Sequence, residues 1–458
     1  MEMGKIVTIN PNTEEILNEY EELKDNEISE KISKSSKAFN FWSKIPISRR
    51  CEYLRNLSEV LLKQKEKLAR LVTTEMGKPI KQSYAEIEKC AWVCRYYAEN
   101  AEEQLRDIEI KTEWQKSFVT FQPLGPILAI MPWNFPFWQV FRFAAPNLAA
   151  GNTALLKHSS NTMGCAIEIE NIILEAGIPE GVFQNLVISS RKVQQIIENP
   201  EVKAVTLTGS TPVGKEVAKV SGWNLKKTVL ELGGSDPYVV LKDADIEKTV
   251  DVCVTARLIN NGQSCIAAKR FIVEKPIFKD FVDLFVEKIK SKRLGDPLDE
   301  SVDIGPLARN DLRLDLDGQV KRSVEKGDVL VYGGEIPKQK GFFYQPTVII
   351  VRNPESPVFV EETFGPVAAL ISAENEEEAI DLANRTNFGL GAAVFTSDIE
   401  KGTELAKTKL NAGCCFVNDF VKSDPRLPFG GVKESGYGRE LSIFGIREFV
   451  NIKTVCVK

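Results

Sequence analysis

The sequence predicts an α/β protein built on a doubly wound parallel sheet, followed by a second α/β block. Its 458 residues exceed what one ordinary core accommodates, so two or three domains are expected. Short apolar strands alternate with amphipathic helices through most of the chain, at the lengths of strand–helix–strand crossover units. The connections contain glycine and proline, which are typical of loops.

The first half of the chain supplies the elements of the predicted sheet. Its helices have apolar residues at i, i+3 and i+4, and its strands are short apolar runs next to turn residues. Gly177 stands where it can cap one of the helices. The predicted helices are 29–40, 49–74, 81–105, 162–176 and 212–220, and the predicted strands lie within 125–132, 152–157, 202–208 and 228–232.

The second α/β block covers about 243–416 and includes a strand at 270–273. Two strand-like segments, 117–122 and 449–458, belong to neither block. Strands left over in this way pair with other strands, and a second subunit is one candidate for the partner.

Charge and cysteine usage narrow the class of protein. The 59 basic and 64 acidic residues are interspersed, and a net charge of -5 predicts no binding to nucleic acid or to an anionic membrane. No apolar run is long enough to span a bilayer, and the amino terminus lacks the apolar stretch of a signal peptide. Nine cysteines, an odd number spread through a large chain, indicate free thiols rather than a disulfide framework, and they lack the spacing of a metal site. We expect a cytoplasmic protein without a metal site.

One glycine-containing turn, GSTPVGKE at 209–216, follows a predicted strand and opens a helix. It nearly matches the phosphate-binding loop, but Glu216 stands where that loop needs a serine or threonine. The chain contains no GxGxxG fingerprint. The turn is therefore either a steric feature or a modified nucleotide site at a helix N-terminus.

Three residues suggest a reaction. Cys265 lies between polar residues and a small apolar segment, where the backbone can present its thiol at a pocket floor. Glu231 ends an apolar strand, and burial there would raise its pKa towards that of a general base, unless a distant Lys or Arg pairs with it. Asn134, between two prolines, either donates to an oxyanion or satisfies its own turn. His158, the single histidine, has no orienting acid nearby and is not expected to be catalytic.

Seven features occur in the order found in the aldehyde dehydrogenase superfamily, and together they resemble it over nearly the whole chain. Residues 157–161 (KHSSN) and 232–237 (LGGSDP) most resemble the succinate-semialdehyde dehydrogenases of that superfamily. The seven features are PWNFP at 132–136, Lys157, TGS at 208–210, LELGG at 230–234, GQSC at 262–265, EETFGP at 361–366 and PFGGVKESG at 428–436.

The resemblance implies oxidation of an aldehyde, with succinate semialdehyde expected as the substrate. Cys265 would form a thiohemiacetal whose oxyanion is held by Asn134 and the Cys265 N–H. After hydride transfer, Glu231 would activate the water that hydrolyses the thioester. The sequence shows no fixed cation beside Cys265, so we expect the bound nicotinamide's positive charge to favour its thiolate.

The resemblance also implies a dinucleotide site. NAD-preferring relatives often carry a glutamate three residues after the lysine matched by Lys157, whereas this chain has Ser160. We therefore expect NADP to be preferred, with NAD also accepted. The cofactor-binding residues implied are Trp133, Asn134, Lys157, His158, Ser159, Ser160, Gly209, Ser210, Leu232, Glu362 and Phe364.

For the substrate, Arg142 matches an arginine that grips the carboxylate of succinate semialdehyde. Two departures stand beside it: Phe143 replaces the lysine that usually follows, and Ile259 replaces a second carboxylate-binding arginine. Three other residues remain candidates for the missing contact: Arg257, Ser423 and Arg426.

The resemblance divides the chain into a cofactor domain at 1–104 and 124–233, a catalytic domain at 234–427, and a β oligomerisation element at 105–123 and 428–458. A homodimer or homotetramer is expected. The alternatives are a coenzyme-A-acylating or broad-specificity aldehyde dehydrogenase and, from another class, a nucleotide-binding protein that uses the Gly209 turn.

Overall fold

Helices and strands alternate along most of the chain in the computed structural model, which describes residues 4–458. The strands are β1 (Lys5–Ile9), β2 (Ile16–Glu21), β3 (Ile108–Glu109), β4 (Lys116–Pro123), β5 (Pro126–Met131), β6 (Thr153–His158), β7 (Phe183–Asn185), β8 (Ala204–Thr208), β9 (Lys227–Glu231), β10 (Asp236–Val240), β11 (Ala268–Glu274), β12 (Val329–Tyr332), β13 (Thr347–Ile350), β14 (Val367–Ala373), β15 (Gly391–Phe395), β16 (Cys414–Val417), β17 (Gly436–Tyr437) and β18 (Val450–Val457). The helices are α1 (Asp25–Trp42), α2 (Ile47–Lys63), α3 (Lys65–Met76), α4 (Ile80–Gln104), α5 (Trp138–Ala150), α6 (Met163–Glu175), α7 (Val193–Glu198), α8 (Thr211–Trp223), α9 (Ile246–Leu258), α10 (Lys275–Lys290), α11 (Asn310–Glu325), α12 (Pro357–Val360), α13 (Glu376–Asn384), α14 (Ile399–Thr408) and α15 (Ser442–Ile446).

A six-stranded sheet in the first half of the chain has the order β17-β9-β8-β5-β6-β7. The chain runs outward from β5 through β6 to β7, then returns to β8 and β9 on the other side of β5. These five strands are parallel, as the sequence predicts, and the order reverses between β5 and β8. A ligand crevice is expected at the carboxyl ends of the strands at such a point.

A second sheet of seven strands has the order β12-β13-β14-β11-β10-β15-β16. Its strands are parallel except for the edge strand β12. Strands β10 and β11 are buried along their whole length, as central strands of a parallel sheet are, although β11 carries the charged residues Lys269, Arg270 and Glu274. The α/β fold class predicted from the sequence is confirmed.

The two unassigned segments form a third, antiparallel sheet with the order β18-β4-β3. β18 pairs with β4 over eight residues, from Val450 opposite Pro123 to Val457 opposite Lys116. The partner of each segment is therefore the other segment of the same chain. Gly436–Tyr437, within the segment 428–458, joins the edge of the six-stranded sheet beside β9.

The single helix predicted at 49–74 is wrong, because the chain forms two helices that meet at Gln64. Leu61 and Leu68 lie on either side of the break, and both are fully buried in the same core. The apolar pattern therefore continues across the break and does not reveal it. The β1–β2 hairpin was not predicted, since its strands are largely exposed.

Glu86 of α4 determines where α5 begins. Its carboxylate accepts hydrogen bonds from the backbone N–H groups of Phe137 and Trp138, both at 2.9 Å, and forms a buried ion pair with Lys78. A carboxylate at a helix N-terminus satisfies free N–H groups and favours the helix dipole. Helix α5 is thereby held against α4. No helix formed by residues 4–458 has both the length and the apolar character needed to cross a membrane.

Candidate active site

The loop that carries Cys265 has a left-handed backbone. Asn260, Asn261 and Gly262 have φ values of 56°, 57° and 74°. Asparagine is among the residues that tolerate this region, and here both amide side chains are buried. The Asn260 Nδ2 group donates to the carbonyls of Asn134 and Gln263, each at 2.8 Å. The turn is thus fixed by internal hydrogen bonds before any ligand binds.

Gly262 packs against the backbone of a remote segment. A Cβ atom at this position would lie 2.3 Å from the carbonyl carbon and oxygen of Gly365, so no larger residue fits. Its left-handed φ also favours glycine. The GQSC and EETFGP motifs, remote in sequence, are therefore in direct contact.

Cys265 lies on the wall of two cavities. The first, which we call the switch-point cleft, lies at the carboxyl ends of β5, β8 and β9. The second, which we call the apolar cavity, lies between α4, α5 and the segment after β16. The cleft is lined by Pro132, Trp133, Asn134, Thr208, Gly209, Ser210, Leu232, Gly233, Cys265, Leu312, Glu362 and Phe364. The apolar cavity is lined by Gln82, Ala85, Glu86, Lys89, Phe135, Trp138, Gln139, Arg142, Ile259, Ser264, Cys265, Ile266, Phe420, Val421, Lys422, Ser423 and Phe429.

Burial raises the pKa of the Cys265 thiol to about 12, against the opposing effect of two nearby cations, Lys269 and Arg142. The Lys269 ammonium is fully buried and donates to the carbonyl oxygens of Ser264 at 2.9 Å and Cys265 at 2.6 Å. The expectation that no fixed cation stands near Cys265 was therefore wrong. Lys269 was missed because nothing in the strand sequence distinguishes it from a surface lysine.

The Asn134 side chain is buried next to the Cys265 loop. Its Nδ2 group donates to the Gln263 carbonyl at 3.1 Å. An amide nitrogen carries two hydrogens, so one remains for a second acceptor. The Oδ1 atom has no hydrogen-bond partner among the described residues. Asn134 therefore does not merely satisfy its own turn.

Glu231 ends β9 with only 2% of its surface exposed, and neither carboxylate oxygen has a hydrogen-bond partner within residues 4–458. Burial raises its pKa well above 4.5, and Glu440 adds to the rise, while Arg142 and Arg439 oppose it. The Glu231 carboxyl is absent from the walls of both cavities and stands behind them. The raised pKa that the sequence predicted is present.

Arg142 lies in the wall of the apolar cavity but is not a free cation. It forms a buried ion pair with Glu440, and its Nη2 group is 3.4 Å from the Thr208 hydroxyl. Its guanidinium also lies 4.7 Å from the centre of the Phe429 ring. Glu440 was missed, since a carboxylate near the chain end carries no signal of a partner on α5.

The three candidates for a second carboxylate contact lie in different parts of the structure. Ser423 lines the apolar cavity. Arg257 is fully buried elsewhere and donates to the Gly262 carbonyl at 2.7 Å. Arg426 pairs with Asp424 at the surface. Of the three, only Ser423 lines a cavity that Cys265 also lines.

Seven of the residues predicted to bind the cofactor meet in the switch-point cleft. Trp133 and Phe364 face each other edge-to-face, with ring centres 5.7 Å apart. The seven are Trp133, Asn134, Gly209, Ser210, Leu232, Glu362 and Phe364. The other four do not line the cleft itself: Lys157 and His158 are the last two residues of β6, and Ser159 and Ser160 follow it.

The His158 ring is fully buried at the end of β6. Its Nε2 atom is 2.9 Å from the Pro136 carbonyl, while Nδ1 accepts the Ser159 N–H at 2.8 Å. These partners assign the proton to Nε2. Burial lowers the pKa of His158 to about 4, so the ring is neutral. It ties the end of β6 to the turn that carries Asn134.

The cleft fits a dinucleotide. Helix α8 begins at its wall, and the N-cap residue, Ser210, makes no side-chain hydrogen bond to the first turn. The free N–H groups there suit the pyrophosphate. Glu362 accepts from the Gly234 N–H at 3.0 Å and lies 3.5 Å from Lys269, which orients its carboxylate in the cleft.

Similarity to known proteins agrees with this geometry. A family model described as the aldehyde dehydrogenase family matches residues 1–455. A probable succinate-semialdehyde dehydrogenase [NADP(+)] of Synechocystis sp. is 46% identical over 452 residues, 99% of each chain. A succinate-semialdehyde dehydrogenase [NADP(+)] of Mycobacterium tuberculosis is 45% identical over 455 residues, again 99% of each.

The fold also matches solved structures over its full length. The crystal structure of succinic semialdehyde dehydrogenase from Streptococcus pyogenes in complex with NADP+ is 37% identical, with a TM-score of 0.97 and 99% of each chain covered. Since the family model and these relatives extend over almost every residue, the chain belongs to the aldehyde dehydrogenase family.

Proposed function

We propose that the protein oxidises succinate semialdehyde to succinate with NADP as the preferred hydride acceptor. The observation that carries this proposal is the position of Cys265 on the shared wall of two cavities. One cavity suits a dinucleotide, and the other is largely apolar with cations on its wall. A reaction between a cofactor and a small anionic aldehyde needs this arrangement. The relatives named above support the choice of substrate and cofactor.

In the first step the Cys265 thiolate attacks the aldehyde carbon and forms a thiohemiacetal. The free N–H of the Asn134 amide and the backbone N–H of Cys265 donate to the resulting oxyanion. Transfer of the hydride on that carbon to bound NADP would break the C–H bond, restore the C=O bond and leave a thioester on Cys265. Burial keeps the pKa of Cys265 high without ligands, so the thiolate forms when positive charge is added nearby.

After hydride transfer, the thioester on Cys265 is hydrolysed. Glu231 takes a proton from water, whose oxygen then bonds to the acyl carbon as the carbon–sulfur bond breaks. Its unpaired oxygens and raised pKa suit this role. The side chain must turn towards Cys265, since it stands behind the cavity walls in the structure.

The substrate carboxylate would lie at the end of the apolar cavity away from the cleft. Arg142 pairs with Glu440 through Nε, which leaves its terminal nitrogens for a further acceptor. Ser423 adds a hydroxyl on the same wall. A charge-assisted hydrogen bond there would favour an aldehyde with a carboxylate over an uncharged one.

Preference for NADP is proposed from the residues after β6. Lys157 forms no ion pair with residues 4–458, and Ser160 is exposed and neutral. This pair offers a cation and a small hydroxyl to a ribose 2′-phosphate, and the position of Ser160 carries no carboxylate to repel it. Burial lowers the pKa of Lys157, while the nearby carboxylate of Glu22 raises that pKa less strongly. We propose that Ser159 and Lys157 complete this end of the cofactor site.

We also propose that each of the three sheets has the role that the sequence predicts for its domain. The six-stranded sheet would bind the cofactor, the seven-stranded sheet would hold the nucleophile loop, and the small antiparallel sheet would join subunits. Support for the last role comes from apolar side chains exposed on that sheet: Ile108 at 39%, Ile452 at 60% and Val457 at 42%. Exposed apolar residues on a sheet with open edges favour association.

The proposed function predicts the outcome of an aldehyde panel assayed with NADP and NAD in parallel. The kcat/KM for succinate semialdehyde should exceed that for butanal, and NADP should exceed NAD. Succinate should form without coenzyme A. Cys265→Ala should bind NADP but form no NADPH. A requirement for coenzyme A would contradict the hydrolytic step.

Glu231→Gln separates the two chemical steps. We expect a first burst of NADPH, followed by a steady-state rate lowered about 10²- to 10⁴-fold, because the amide cannot take a proton from water. In the unchanged protein, hydrolysis of the thioester should speed up as pH rises through the raised pKa of Glu231, above 4.5. Stopped-flow absorbance across this pH range measures both effects. Loss of the burst itself would place Glu231 in the first step instead.

Ser160→Glu tests the cofactor preference. A carboxylate here should repel the 2′-phosphate and lower the NADP-to-NAD ratio of kcat/KM by about tenfold or more. Ser160→Gln has nearly the same size without the charge and serves as the matched control. Equal effects of the two substitutions would show that size, not charge, sets the ratio.

Association through the small sheet is tested by light scattering. The unchanged protein should have two or four times the mass of one chain. Ile452→Lys places a charge on the exposed face of β18 and should reduce that mass. A monomeric unchanged protein would remove the oligomerisation role from this sheet.

A further inference from the structure

Lys89 is a cation on the wall of the apolar cavity that the proposed mechanism does not use. It lies on α4, and its ammonium donates to the Ser423 hydroxyl at 2.8 Å. It also lies 4.4 Å from the centre of the Trp138 ring. Both neighbours line the same cavity. The side chain is therefore held in a defined position by one hydroxyl and one aromatic face.

The charge of Lys89 has no counterion at contact distance. It forms no ion pair with residues 4–458, whereas Arg142 on the facing helix is paired with Glu440. Glu86, on the same helix, is occupied by Lys78 and the start of α5. A partly buried ammonium with only neutral contacts is costly unless an anion joins it.

The charges around Lys89 are consistent with a position for an anion beside its ammonium group. Burial lowers the pKa of Lys89 to about 8, and Arg142 lowers it further, while Asp424 and Glu86 act in the opposite direction from a distance. A carboxylate that entered the cavity would reverse this shift and keep the ammonium charged.

We propose that Lys89 is a specificity-determining residue that binds the substrate's terminal carboxylate together with Arg142 and Ser423. The inference rests on the proposed function, since it identifies a contact within the same site. Lys89 and Arg142 come from different helices, and Ser423 from the segment after β16, so three elements converge on one anion. The ligand class is a short aldehyde with a carboxylate at its far end.

The apolar wall strengthens this contact. Phe135, Trp138 and Ile259 leave few competing hydrogen-bond partners around the ammonium. A charge-assisted pair gains strength where water is excluded, so loss of Lys89 would leave the carboxylate with one cation fewer in a site where that cation counts most. An uncharged aldehyde makes no ion pair with Lys89, so replacing Lys89 should leave its binding to the cavity nearly unchanged.

Lys89→Met tests the inference, because methionine keeps the length of the side chain without its charge. The measured quantity is the ratio of kcat/KM for succinate semialdehyde to that for butanal. We expect this ratio to fall about 10- to 100-fold, mainly through KM for succinate semialdehyde. Lys89→Arg should restore part of the ratio. If Lys89→Met does not fold, Lys89→Gln replaces it and keeps a donor for Ser423.

Lys422→Met is the matched control. Lys422 also borders the apolar cavity, but it is exposed and paired with Asp419 at 2.6 Å, so its charge is already compensated. Its replacement removes a compensated charge from the rim of the same cavity, so it should lower the ratio several-fold less than Lys89→Met does. NADP affinity, measured by fluorescence, confirms that each variant retains its cofactor cleft.

The outcomes distinguish this inference from the proposed function. If the unchanged protein does not prefer succinate semialdehyde over butanal, the proposed substrate is wrong and the inference fails with it. If the preference exists but Lys89→Met leaves the ratio within about twofold, or lowers it no more than Lys422→Met does, only the role of Lys89 is overturned. A selective fall in the Lys89 variants supports it.

Discussion

The site depends on one close approach between two backbones, that of Gly262 to Gly365. Because no side chain fits between these two glycines, the loop that carries Cys265 is held directly against the segment that carries Glu362 and Phe364. The left-handed turn before Cys265 follows from this contact and from the buried asparagine amides. The thiol consequently stands where the switch-point cleft meets the apolar cavity.

Around that thiol, the partners of each charge indicate its role. Lys78 is paired with a buried carboxylate and holds elements in place. Arg142 is also paired, through Nε, and only its terminal nitrogens remain for the proposed substrate contact. Lys269 is bound by two carbonyls of the nucleophile loop. Glu231 and Lys89 lack such partners among residues 4–458. A buried polar or charged group without a partner destabilises the protein, and binding of a ligand or a reacting water would remove that cost.

Much of this site could be predicted from the sequence, because its motifs are local. The turn around Asn134, the Gly209 turn and the loop before Cys265 each follow or precede one element, so short runs of residues identify them. The contacts of Glu440 and Lys89 are different, since each depends on a partner brought close only by folding. The break at Gln64 was hidden for a similar reason: both helices face one core.

The position of Lys89 also bears on the reactivity of Cys265. The resemblance places a second carboxylate-binding arginine at the position of Ile259, close to the nucleophile loop. Here that position is apolar, and the proposed second cation comes from α4 instead. Lys269 and Arg142 already lower the pKa of Cys265, yet burial holds it at about 12. A further cation beside the loop would favour the thiolate in the absence of ligands and expose it to oxidation. Supplying the charge from α4 serves substrate binding and leaves activation of the thiol to the bound cofactor.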